Sequence, residues 1–134
     1  MGLGNAKPSE KNAASYEVSG KPWVTGSITA GSSAVEVTFP TVTRWIQIVN
    51  NSTNDVRIGF SKNGVDANPV ANTNYYLLEG QAAATSQATV RWELRCKRIF
   101  LKRDGSSDAT VCIIAGLTDI PDMNSPLTGS GGIG

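Results

Sequence analysis

Side chains able to do covalent chemistry are scarce in this sequence. It contains no histidine, which removes Ser-His-Asp and Cys-His arrangements, imidazole metal sites and the commonest general base together. The carboxylates Glu36, Asp55, Asp66, Glu79, Glu93, Asp104, Asp108, Asp119 and Asp122 are scattered along the chain. A glycosidase needs two of them facing each other across a scissile bond. Nothing in their spacing selects a pair, so they read as solvated surface and turn residues. Asp119 and Asp122 bracket Pro121, and Asp104 and Asp108 flank a turn, without the alternating oxygen ligands of a calcium loop. Gly129, Gly131 and Gly134 satisfy G-x-G-x-x-G by spacing, but that motif has meaning only where it joins a strand to a helix. Cys96 and Cys112 are the two cysteines. Each lies in an apolar or strand-like stretch with no C-x-x-C partner, which favours two reduced, buried thiols. The expectation is a protein that is not an enzyme and that uses no metal or cofactor.

Two groups of residues have the chemistry of binding. Arg91, Arg95, Lys97, Arg98, Lys102 and Arg103 place half of the 12 cations within a short run. Period-2 geometry puts Arg91, Arg95 and Lys97 on the outer face of their strands, flanking Val90, Trp92 and Leu94. Such a face deters edge-to-edge aggregation, or docks acidic residues of a neighbouring subunit, or contacts nucleic acid. The net charge of +1 disfavours the last use, since phosphate binding brings a basic domain. The six cations therefore mark a possible subunit interface. Trp23, Trp45, Trp92, Tyr75 and Tyr76 have the ring types of a sugar-stacking platform, as in β-sandwich lectin modules. Core packing explains Trp92 better. Tyr75 and Tyr76 are adjacent, so they point to opposite faces of a strand, and one of them can be exposed.

These residues need a scaffold, and 134 residues with 40% hydrophobic content suit one domain around one core. No run approaches the ~18 apolar residues of a spanning helix, and residues 1–11 lack the apolar centre of a signal peptide. The expectation is a soluble chain made in a cytosol. Residues 1–21 are polar and show no sustained period, so they read as a flexible arm. From 118 to 134, prolines and glycines give a flexible tail. Between them, strand-like runs alternate with turn residues. They cover Trp23–Thr29, Ala34–Phe39, Thr43–Val49, Val56–Phe60, Tyr75–Glu79, Val90–Leu94, Lys97–Lys102 and Thr110–Ala115. Asn50–Asn54, which also carries two N-x-[ST] matches, reads as the turn of a hairpin between the third and fourth runs. Ser61–Gly64 reads as a turn, and Gly80–Ala88 as a loop. The Val90–Leu94 run alternates most cleanly. Eight antiparallel strands and no helix describe an all-β sandwich, specifically a single jelly roll, though an immunoglobulin-like sandwich gives nearly the same pattern.

The segments Val56–Val65, Asn74–Leu78 and Ile114–Pro121 resemble stretches of the penton proteins of large icosahedral nucleocytoplasmic DNA viruses, and their order along residues 23–121 is similar too. The resemblance implies a single jelly roll that forms a homopentamer at the fivefold vertices of a capsid. It further implies a virion protein made in the host cytoplasm. Its partners would be the major capsid protein and other minor capsid proteins, with no specific nucleic acid and at most indirect membrane contact. Such a ring is built from heterologous contacts and needs no catalytic group. The reading from a different class is a carbohydrate- or receptor-binding β-sandwich, which an exposed aromatic pair in a groove would favour.

Overall fold

A computed structural model describes residues 21–67, 73–81, 87–89, 91–121 and 133. Alternating apolar residues produce the strands. Val56 and Ile58, Ile99 and Leu101, and Ala109, Val111, Ile113 and Ala115 each bury one side of their strand, while the residues between them face outward. The strands are β1 (Lys21–Ala30), β2 (Val35–Thr38), β3 (Thr43–Asn50), β4 (Val56–Gly59), β5 (Tyr76–Leu78), β6 (Gln87–Ala88), β7 (Arg98–Arg103) and β8 (Ala109–Leu117), with one short helix, α1 (Lys62–Asp66), between β4 and β5.

The strands form two four-stranded antiparallel sheets, β1-β8-β3-β6 and β2-β7-β4-β5, so the chain is an all-β sandwich. Only β4 and β5 pair as sequence neighbours; every other connection carries the chain from one sheet to the other. The sheets enclose Phe39, Ile46, Ile48, Val56, Ile58, Ile99, Leu101, Val111 and Ile113, all essentially sealed from solvent. Trp23 packs edge-on against Phe39 in the same core, with ring centroids 4.9 Å apart.

Several expectations need correction. Asn50–Asn54 is not a hairpin turn, because β3 belongs to the first sheet and β4 to the second. The buried Asn50 side chain makes that corner, accepting from the Ser52 amide at 2.9 Å and donating to the Asn54 carbonyl at 2.8 Å. The Ser61–Gly64 turn continues into α1. The Ser61 hydroxyl accepts from the Gly64 amide at 3.0 Å and caps the first turn, and Ala67 ends the helix in a left-handed conformation, φ 51°. The loop read over Gly80–Ala88 contains β6, whose residues Gln87 and Ala88 pair with Asn50 and Val49.

The clean alternation of Val90–Leu94 does not make a ladder strand. Val90 lies outside the described residues, and only an isolated bridge joins Trp92 to Ile46. The Thr89 hydroxyl receives the Ile48 amide at 3.0 Å, in place of a backbone carbonyl. This slips the register by one residue between Ala88 and Trp92. Alternation still holds, with Trp92 and Leu94 against the core and Arg91, Glu93 and Arg95 exposed.

The folded body also reaches further than 22–117. Lys21 already pairs with Leu117. Thr118 and Ile120 are buried, and Val42 binds both: its amide donates to the Ile120 carbonyl at 2.9 Å, and its carbonyl accepts from the Thr118 amide at 2.8 Å. The rest of the expected arm and tail, with the glycine motif, lies outside the described residues, Ile133 excepted; its carbonyl accepts from the Ser61 hydroxyl.

Candidate binding groove and the basic run

The β4–β5 pair sets Tyr76 directly opposite the buried Ile58, on the inner side of the second sheet. An inner position is normally covered by the other sheet, yet Tyr76 is 51% exposed. The reason is the neighbouring edge, where β6 is only two residues long and Trp92 returns on a single bridge. At this open end Tyr76 and Trp92 meet edge to face, with centroids 5.2 Å apart and planes at 83°. Ile58, Gly59, Phe60, Thr73, Asn74 and Tyr75 complete the lining of a groove of about 290 Å³. Among the described residues none that lines it is charged.

Tyr75 faces the other way, as adjacent strand residues must. Its ring lies beneath the Arg57 guanidinium at 4.6 Å. Arg57 is itself fixed by Asp104 at 2.8 Å and by the Val65 carbonyl at 2.9 Å. Of the five aromatic residues considered for a sugar platform, only Tyr76 and Trp92 meet ring to ring at this groove. Trp23 packs on Phe39, and Trp45 lies over Gly116 with Arg91 above its ring at 5.8 Å. Phe60 was not legible as a lining residue, since only the β4–β5 pairing brings it beside Tyr76.

Of the six cations, Arg91, Lys97, Arg98, Lys102 and Arg103 have these partners in their own chain. Arg91 pairs with Glu93 at 2.7 Å, Arg98 with Glu36 at 3.5 Å, Lys102 with Asp66 at 2.9 Å and Arg103 with Asp108 at 2.8 Å. Lys97 donates to the carbonyls of Pro40 and Pro121 at 2.8 and 2.7 Å, which ties the β2 exit to the segment after β8. Arg95 is exposed beside Arg44 and Glu93, at a hollow of about 360 Å³. Exposed pairs such as these contribute about 0–1 kcal/mol each, so their main effect is to neutralise the run locally.

Most carboxylates are likewise engaged. Asp119 pairs with Lys21 at 2.7 Å, and Asp55 accepts the Gly80 amide at 2.9 Å. Asp66 lies between two lysines. The hydrogen bond from Lys62, against the opposing effect of burial and with help from Lys102, holds its carboxyl below the usual value. Among the described residues no group of three His, Cys, Asp or Glu side chains is placed to hold a metal ion. Asp122 lies outside the described residues.

Both cysteines are free, and their surroundings differ. Cys96 is fully buried with its sulfur 3.4 Å from the Thr43 hydroxyl, and burial pushes its thiol up to about 11. Cys112 is half-buried on the outer face of the first sheet, opposite Val49. At pH 8 a thiol reagent is therefore expected to modify Cys112 in the folded, unassociated chain and to reach Cys96 only after denaturant is added. Peptide mapping of the labelled sites checks this, and equal labelling of both in native buffer would contradict it.

Comparison with protein-family models, with curated proteins and with solved structures finds no match for this chain.

Proposed function

We propose that the chain is a single jelly roll and serves as a structural capsid subunit, a homopentamer at the fivefold vertices of an icosahedral virion. Its neighbours in the shell would be the major capsid protein and other minor capsid proteins. The strand pairing supports the fold. β1 pairs with β8, β2 with β7, β3 with β6 and β4 with β5, the nesting of a long ribbon folded at β4–β5, and rolling that ribbon adds β8–β3 and β7–β4.

The observation that carries the role is the outer face of the first sheet. Val24, Ile114 and Gln47 stand in one row across β1, β8 and β3. Val24 is 70% exposed and Ile114 43%. Pro22 and Trp45 flank them in the next row, on either side of Gly116, and Val49 and Cys112 in the row beyond. Apolar side chains aligned on an open sheet face are what one subunit buries against the next. Arg91, Arg95 and Arg98, all exposed, would serve at most as a rim.

Light scattering on the eluting peak of a size-exclusion column tests the reading. A species of five times the 14.1 kDa chain mass is expected, and Val24→Lys with Ile114→Lys should reduce it to monomer with the sheet circular-dichroism signal unchanged. Persistence of the pentamer in high salt assigns the contact to the apolar face, whereas its loss assigns it to the basic run. A monomer at every concentration and salt strength, from a folded chain, would overturn the pentamer.

A further inference from the structure

We propose that the groove between β5 and Trp92 is a binding site for a single neutral sugar ring in its pyranose form. This inference is independent of the capsid reading, since every residue it uses belongs to one chain. The site is built from two kinds of group. Tyr76 and Trp92 meet at 83°, so that one ring offers its face where the other offers its edge. Thr73 and Asn74 add a hydroxyl and an amide to the wall, beside Ile58 and Phe60. A pyranose has the matching division, with C–H groups on its flat faces and hydroxyls around its rim. Laid on an aromatic face it buries the C–H groups, and its rim hydroxyls reach the amide, the indole N–H and the phenol, which are the polar handles of such rings.

Charge and size narrow the ligand class. With no Lys, Arg, Asp or Glu among the described residues of the lining, a phosphate, a carboxylate or an ammonium would lose water without gaining a counter-charge. The Arg57 guanidinium beside Tyr75 is occupied by Asp104. A volume of about 290 Å³ lies at the bottom of the range of small-molecule sites, which suits one ring. A proline-rich peptide, the other ligand of aromatic grooves, needs an extended row of rings along its helix. The perpendicular pair of rings does not supply one.

The position also explains an otherwise costly exposure. A tyrosine facing inward on an edge strand gains little from burial while it stays 51% open, whereas a ligand ring seated on it would complete the contact.

The test is titration of the full chain with the methyl glycosides of glucose, galactose, mannose and N-acetylglucosamine. Binding is followed by tryptophan fluorescence and by saturation-transfer NMR. Saturable binding of at least one of them in the millimolar range is expected, weakened about tenfold or more, roughly 1.4 kcal/mol, by Tyr76→Ala and largely retained by Tyr76→Phe. Tyr76 is at an exposed edge, so these variants should fold; Trp92, which packs on the core, is the poorer choice. Failure of all four glycosides to bind the folded chain would overturn the proposal. So would binding that Tyr76→Ala leaves unchanged, or a proline-rich decapeptide that binds through Tyr76 where the sugars do not. The measurement is made on whichever oligomer the chain forms, so its failure is distinct from failure of the pentamer.

Discussion

Gly80→Ala is expected to destabilise the sandwich by about 3 kcal/mol, lowering Tm by roughly 10 °C for a domain of this size. A Cβ at this position would collide with the carbonyl carbon and oxygen of Thr53 and come within 2.7 Å of the Asn54 nitrogen. All three are backbone atoms, so no rotamer change relieves the clash. The segment cannot retreat either. The Gly80 amide donates to the Asp55 carboxylate at 2.9 Å, and the Gln81 amide to the Ser52 carbonyl at 2.6 Å. Backing away breaks both bonds, each worth about 1 kcal/mol. Gly105→Ala is the matched control, because a Cβ there meets nothing within 4 Å, and it should change stability by less than about 0.5 kcal/mol. Thermal unfolding of the two variants decides the matter; similar midpoints would mean that the Thr53 corner yields.

Asn50→Asp is the second large effect, and its size depends on pH. The wild-type amide nitrogen lies 2.8 Å from the Asn54 carbonyl, 3.3 Å from that of Leu78 and 3.2 Å from that of Glu79, so its two hydrogens are shared among three acceptors. The amide oxygen accepts from the Ser52 amide and hydroxyl at 2.9 and 2.8 Å. A carboxylate would turn an anionic oxygen toward three carbonyls in a fully buried position, at a loss of about 3 kcal/mol or more at neutral pH. Burial and the carbonyls would raise the new carboxyl above its unfolded value of about 4. Below that value both states are protonated, and a neutral acid can still donate one bond. Above it the unfolded chain ionises first and stability falls. Urea unfolding should show a small deficit against wild type near pH 4 that widens toward pH 7. An equal deficit at both would contradict this account of the Asn50 environment.

The sequence made the core rows legible because period-2 burial is a local property. Val56 and Ile58, or Ile99 and Leu101, announce an inner face whatever strand lies alongside. Which sheet each strand joins depends on partners far along the chain. Asn50–Asn54 carries a strong turn signal, yet the bonds that send it to the other sheet run from Asn50 to Leu78 and Glu79. Thr89 likewise hid the fate of the next strand. A threonine suits a ladder by propensity, but its hydroxyl took the Ile48 amide and shifted the register. The helix was locally encoded after all, in the cap that Ser61 makes with Gly64.

The candidate sites divide in the same way. Tyr75 and Tyr76 had to point apart, and they do. The groove's depth, however, depends on Trp92 arriving from across the sandwich. The density of cations in 91–103 was visible, while their neutralising partners other than Glu93, namely Glu36, Asp66 and Asp108, come from three other segments.

The nested pairing has a consequence for synthesis. β8 is the strand between β1 and β3, and β7 the strand between β2 and β4. On a ribosome, therefore, β1 to β4 leave the exit tunnel without the partners that flank them in the finished sheets, and neither sheet can be completed until Arg98 to Leu117 has emerged. Long-range closure of this kind is slow, and it leaves the early edges open to other chains meanwhile.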